Sequence, residues 1–244
     1  MKAVRAIFRR ELGSYFATPI AYVFIVIFLV LSAIMAFYLG GFYENRQATL
    51  SAFFIYHPWL YLFLVPAISM RLWAEERKSG SLELLMTLPV TTPQAVIGKF
   101  LAAWTFTSAA LLLTFPIWIT VNYLGDPDNG VIFAGYIGSL LMAGGFLAIG
   151  SCISATTKNQ VIAFIISVVV CFLFLLSDFP LVLEPLRGWV PQLIIDTIAS
   201  LSFIEHFGAI SKGVINLRDL VYFALMIGFW LTLNVIVVEL KKSD

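Results

Sequence analysis

Charge is what this sequence has least of. Asp, Glu, Lys and Arg together make up 12% of its 244 residues, and the formal net charge is only +1. Soluble domains are about a quarter charged. A water-facing surface cannot be built from this composition, so neither a soluble globular enzyme nor a disordered tail fits. The missing basic surplus excludes a nucleic-acid partner. Cysteine and histidine are scarce too, with two of each. Cys152 and Cys171 fall in apolar stretches and read as packing residues rather than a disulfide. His57 and His206 belong to no H-E-x-x-H or Cys/His cluster, and read as polar residues near a membrane interface rather than as metal ligands. No phosphate loop of the form G-x-x-x-x-G-K-[ST] exists, because Gly98-Lys99-Phe100 lacks both the preceding glycine and the hydroxyl residue. No G-x-S-x-G elbow occurs either. A non-catalytic chain is expected, with no cofactor or metal of its own. An intramembrane enzyme assembled from dispersed side chains is the remote alternative.

What the chain has instead is apolar length: 61% hydrophobic residues and a mean hydropathy of +0.96. Crossing a hydrocarbon core of ~30 Å takes about 20 helical residues. Six stretches lack any charged residue, and the two shortest, 159–177 and 220–238, are 19 residues each. The next candidate, 84–98, is 15 residues and is interrupted by Pro89 and Pro93. The expectation is an all-α integral membrane protein with six spans near 20–41, 56–74, 95–123, 131–155, 160–180 and 218–239, forming one domain over 1–244. The basic N-terminus leads into an apolar run too long for a signal-peptide core, so it reads as an uncleaved first span.

Six crossings put both termini on one side, and eleven of the fifteen basic residues fall there. The exceptions are Arg46, Arg187, Lys212 and Arg218. Both termini are therefore expected in the cytoplasm. The rows Gly135-Ser139-Ala143 and Gly144-Ala148-Cys152 at i, i+4 spacing let helices approach closely in lipid. Packing within the chain is preferred there over a subunit interface.

Three segments outside the spans carry the functional reading. Between spans two and three the chain runs through Arg71, then the charge cluster Glu75, Glu76, Arg77 and Lys78. Gly80 permits a chain reversal, and Ser81 opens a short helix whose Leu82, Leu85 and Met86 form an apolar face with Glu83 turned away. Pro89 ends it, and Thr92-Pro93 give an N-cap and first-turn proline for span three. Spacing alone leaves two readings open: a lever under the bundle, or a loop anchored among headgroups.

At the N-terminus, Val4, Ile7, Phe8, Leu12 and Tyr15 share one helical face, while Lys2, Arg5 and Arg9 share another suited to anionic headgroups. Arg10 follows, and Glu11 projects into the apolar face. A carboxylate there needs a donor. A cytoplasmic basic group such as Arg71 or Arg77 is the expected partner, and water reached from a shallow helix is the alternative.

The third segment, 178–219, is the longest extramembrane piece. Its apolar middle, 193–207, carries Asp196 and Glu205 and is too short to cross. Trp189 and Phe203 are placed at the interface, with a simple extracellular loop packed on the bundle as the competing reading.

Several of these residues carry a resemblance. The acidic-basic cluster, Ser79-Gly80-Ser81-Leu82-Glu83-Leu84-Leu85, Leu88-Pro89-Val90 and Gly98-Lys99 resemble the signature of type-2 ABC transporter permeases. Arg9-Arg10-Glu11-Leu12 with Phe16-Ala17-Thr18-Pro19 resembles that family's N-terminal elbow helix. In overall character the chain is most similar to the gliding-motility-associated permeases.

The resemblance implies a dimer with a second permease subunit, itself or a homologue. It implies a cytoplasmic ABC ATPase dimer, holding ATP and Mg, that docks on 75–92. It also implies an outer segment whose short helices dip into the outer leaflet and close the translocation path, with Trp189 and Phe203 as outer-gate candidates. The expected function is the permease subunit of an ATP-driven exporter in the bacterial plasma membrane. The alternative is a membrane anchor or force-transmitting subunit of a cell-envelope complex, with a partner bearing a large external domain.

Overall fold

The computed structural model describes residues 2–42, 48–81, 89–185 and 189–241, and every regular element among them is helical. In chain order these are α1 (Lys2–Ala17), α2 (Pro19–Ile34, continued by a π-helical turn over Met35–Leu39), α3 (Ser51–Ile55), α4 (His57–Ser69) and α5 (Arg71–Ser79). There follow α6 (Thr92–Leu112), α7 (Phe115–Leu124), α8 (Asn129–Thr156), α9 (Gln160–Leu176), α10 (Pro180–Leu183), α11 (Gln192–Ala199), α12 (Phe203–Ser211) and α13 (Leu217–Leu240).

Four stretches are long and apolar enough to cross a bilayer: Pro19–Leu39, Thr92–Leu124, Asn129–Thr156 and Leu217–Leu240. The pair α11 and α12, bent by 55°, makes a fifth if counted as one. The other two expected spans differ from the sequence reading. The one at 56–74 is broken at Met70 into α4 and α5. The region 160–180 holds α9, an apolar helix of 17 residues that rises about 25 Å, short of a full crossing of ~30 Å.

Helix α8 is the axis of the bundle, and α4, α5, α6, α9, α12 and α13 all pack on it. Its small residues explain why so many neighbours fit. A Cβ at Gly135 would stand 2.5 Å from Phe54, and one at Gly145 would stand 2.6 Å from Phe203. Ser139, Ala143, Ala148 and Cys152 are all buried within the chain, so the small rows serve packing inside one molecule. Asp128 caps the start of α8 by accepting from the Gly130 and Val131 amides, and Asn159 does the same for α9. The cap of α6 is Thr91, one residue earlier than the sequence reading, with the Gln94 side chain accepting from its amide.

The outer helices are inverted relative to a soluble protein. On α2, Ile20, Val23, Val26, Ile27 and Val30 are exposed, and α9 and α13 expose Ile165, Val169, Leu173, Leu225 and Phe229. A sheath of this size and uniformity has lipid as its natural solvent.

Candidate functional site

Helix α1 lies along α6, and Gly98 permits the approach. A Cβ at Gly98 would meet Ile7 Cγ2 at 2.9 Å and the Val4 carbonyl at 3.2 Å. The apolar face of α1 turns inward there, with Ile7 buried and Val4, Leu12 and Tyr15 half-buried. Arg5 and Arg9 stay exposed. The Tyr15 ring stacks on Phe106 at 5.0 Å, and burial pushes its hydroxyl pKa up.

This packing brings Lys99, the residue after Gly98, beneath α1 and beside α5. Its side chain is 1% exposed. Nζ donates to Glu11 Oε1 at 3.1 Å and to Glu76 Oε1 at 2.8 Å. Arg10 Nη2 reaches the same two oxygens, at 2.6 Å and 3.1 Å. Two cations thus face two carboxylates, and three helices distant in sequence are tied at one point. Such pairing is required, since an isolated buried ammonium is prohibitively costly.

Burial is the largest influence on Glu11 and opposes its ionisation. The combined attraction of Lys99 and Arg10 outweighs it and holds the carboxyl below its usual range. The hydrogen bond to Glu11 raises the pKa of Arg10. Lys99 Nζ also lies 5.1 Å from the centre of the Trp73 ring. An open cleft of about 450 Å³ borders the cluster, lined by Ser14, Thr18, Arg71 and Glu75 among others.

The remaining sequence candidates separate around this clamp. Arg71, Glu75, Glu76, Arg77 and Lys78 all ride on α5. Glu75 and Lys78 face outward, and Arg71 makes a surface pair with Glu75 at 3.3 Å. Arg77 instead turns to α8, donating to the Ala155 carbonyl at 2.9 Å. Gly80 ends α5 at φ +74°, the left-handed conformation expected of a reversal, and Pro89 is exposed. Leu82, Glu83, Leu85 and Met86 lie outside the described residues.

The partner expected for Glu11, Arg71 or Arg77, is not the one found. Lys99 and Arg10 occupy it. The signal for Lys99 was present, because its helical neighbours Ala95, Val96, Ala102 and Ala103 include no acid. A charge without a partner on its own helix must find one elsewhere.

The histidines are not interfacial, as the sequence reading had them. Both are buried. His57 Nδ1 lies 2.7 Å from Ser139 Oγ within a group of Phe28, Phe53, Phe54 and Tyr61 rings. His206, on α12, faces Asp219 of α13 with Nδ1 2.6 Å from Oδ1. Its Nε2 is 3.0 Å from the Ser200 carbonyl, and its ring stacks on Tyr222. A carbonyl cannot donate, so Nε2 carries a hydrogen, and one further proton lies between Nδ1 and Asp219. Phe203 is fully buried against Phe146 and Phe223 rather than anchored at a surface, while Trp189 is 92% exposed. No group of three or more potential metal ligands occurs among the described residues.

A helical bundle sheathed in exposed apolar side chains is a multi-pass membrane protein. Residues 39–236 match the family model described as ABC-2 family transporter protein. The chain belongs to that family, and is an ABC-2 type permease, the membrane subunit of an ABC transporter. The match is to the family at large and does not single out the gliding-associated branch. Comparison with curated proteins returns no match.

Proposed function

We infer that this permease exports its substrate across the bacterial plasma membrane, driven by a separate ATPase dimer that holds ATP and Mg and docks beneath α5. In this reading the chain is a single domain of six spans with cytoplasmic termini. α4 with the start of α5 is span two, and α9 is span five. Helix α1 is the elbow at the cytoplasmic headgroups, and the segment from Glu75 to Thr92 is the coupling element. The bent pair α11–α12 re-enters the outer leaflet, with Trp189 at the interface. Two permease copies face each other.

The observation that carries the reading is the four-charge clamp. Arg10, Glu11, Glu76 and Lys99 bind α1, α5 and the start of α6 into one unit. A force applied at the exposed Glu75 and Lys78 therefore moves three helices together. Buried hydrogen-bonded charges are stiff linkages because every broken contact strands a charge.

Reversing the exposed charges, with Glu75→Lys and Lys78→Glu together, tests the docking. The expected result is loss of the co-purifying ATPase while the permease stays folded. An ATPase that still co-purifies, and is stimulated as before, overturns the reading. Stimulated ATP hydrolysis without solute movement in vesicles would favour the force-transmitting alternative.

A further inference from the structure

The break between α4 and α5 has a specific cause. In an unbroken helix the Trp73 amide would donate to the Ser69 carbonyl. Here it donates to a hydroxyl from another helix. Ser154 of α8 donates to the Met70 carbonyl at 2.7 Å and accepts from the amides of Trp73 and Ala74 at 3.1 Å each. A side chain inserted into the helical ladder is a known cause of a helix break. Ser154, Trp73 and Ala74 are all fully buried, so no water competes for these groups. Inside a bilayer such backbone atoms must be satisfied by protein.

The neighbouring residues of α8 hold the same joint. Gly150 leaves room for Ser69, whose Oγ a Cβ there would strike. Ser151 Oγ accepts from the Trp73 indole at 3.2 Å and from the Asn234 amide of α13 at 2.7 Å. Positions 150, 151, 154 and 155 form one stripe on α8. Each touches the joint or the first turns of α5, and Ser151 carries the contact onward to the last span.

We propose that Ser154 is a positioning residue for energy coupling: its hydroxyl keeps the second span broken at Met70, and through Ser151 and Asn234 the position of α5 is read by α13. This rests on the docking of an ATPase at α5 proposed above. Without the hydroxyl, the Trp73 amide is free to return to the Ser69 carbonyl four residues back. The helix then closes across the break and α5 shifts. Threonine at 154 retains the hydroxyl and preserves the joint.

The test uses the full complex with its ATPase subunit, containing one labelled permease copy with spin labels at two exposed sites outside the docking charges, Gly13→Cys on α1, which the clamp ties to α5, and Leu217→Cys on α13. The distance between them is measured before and after addition of a non-hydrolysable ATP analogue with Mg. In the parent protein the nucleotide is expected to shift the distance. Ser154→Ala should change the nucleotide-free distance and abolish the shift, cutting permease-stimulated ATP hydrolysis about tenfold, the scale of one well-made hydrogen bond to a buried group. Ser154→Thr should restore both.

If Ser154→Ala leaves the nucleotide-free distance unchanged, the joint does not depend on the hydroxyl and the proposal fails. If that distance changes but the nucleotide shift survives, the joint exists without a coupling role, and the proposal also fails. Failure of the docking reading is separate, since it shows as an ATPase insensitive to charge reversal at Glu75 and Lys78.

Discussion

Two polar clusters fasten short helices to long ones, at different ends of the molecule and by different chemistry. In the clamp, Arg10, Glu11, Glu76 and Lys99 pair two cations with two carboxylates around the buried Lys99. At the other end, His206 and Asp219 hold α12 to α13 around a single shared proton, with Tyr222 stacked on the imidazole and donating to the Leu201 carbonyl at 2.6 Å. In each cluster one carboxylate oxygen, Glu76 Oε2 or Asp219 Oδ2, has no hydrogen-bond partner among the described residues. The clamp cannot be made neutral without losing its logic. The latch can, because one proton is all it needs. A joint that ties three helices is thus built from charges, and a joint that holds a bent pair is built from a hydrogen bond.

Removing the central cation sharpens this contrast most. Lys99→Met leaves two carboxylates facing each other with only Arg10, and is expected to destabilise the protein by about 3–5 kcal/mol, read as a fall in thermal unfolding temperature in detergent. Neutral substitution at the latch should behave differently. Asp219→Asn can donate its amide hydrogen to His206 Nδ1 while Nε2 keeps donating to Ser200, at a cost below about 1 kcal/mol. Asp219→Ala leaves Nδ1 unpaired and is expected to cost about 2 kcal/mol. Equal losses for the two variants would show that the latch depends on charge after all.

Acid should weaken the clamp through Glu11. Its carboxyl is held below the ordinary value of 4.5 by Lys99 and Arg10. The stabilisation is therefore present above that value and is lost as pH falls through the depressed one. Unfolding temperatures of the parent and Glu11→Gln proteins are expected to differ at neutral pH and converge in acid. A gap that persists there would break the electrostatic account. Smallest of all is the exposed pair of Arg218 with Glu205, 3.4 Å apart with Arg218 66% exposed. Arg218→Gln should change stability by less than about 0.5 kcal/mol in the same thermal measurement.

Much of the architecture was legible in the amino-acid order because its causes are local. A charge-free run of 19 residues or more marks a helix that water cannot solvate, and helical segments occupy each such region. Gly80 reverses the chain at positive φ, as its place after the charge cluster requires. The apolar face of α1 and the anomaly of Glu11 within it were equally plain. The break at Met70 was not, since nothing in residues 56–74 encodes a hydroxyl arriving from position 154. Both histidines were misplaced for a similar reason. Burial of a polar side chain depends on partners such as Ser139 and Asp219, which sequence distance does not disclose.

Periodicity, caps and apolar runs act over a few residues, so the sequence alone determined that this chain is helical, lives in lipid and gathers charges after its second apolar stretch. Which charges meet was decided only by packing. Glu11 and Lys99 are 88 residues apart, and they touch because Gly98 lets α1 settle against α6. Ser154 and Met70 are 84 residues apart, and they touch because Gly150 lets α4 settle against α8. In each case the partner follows from where a missing side chain allows two helices to meet, a property of the assembled bundle rather than of any one of its segments.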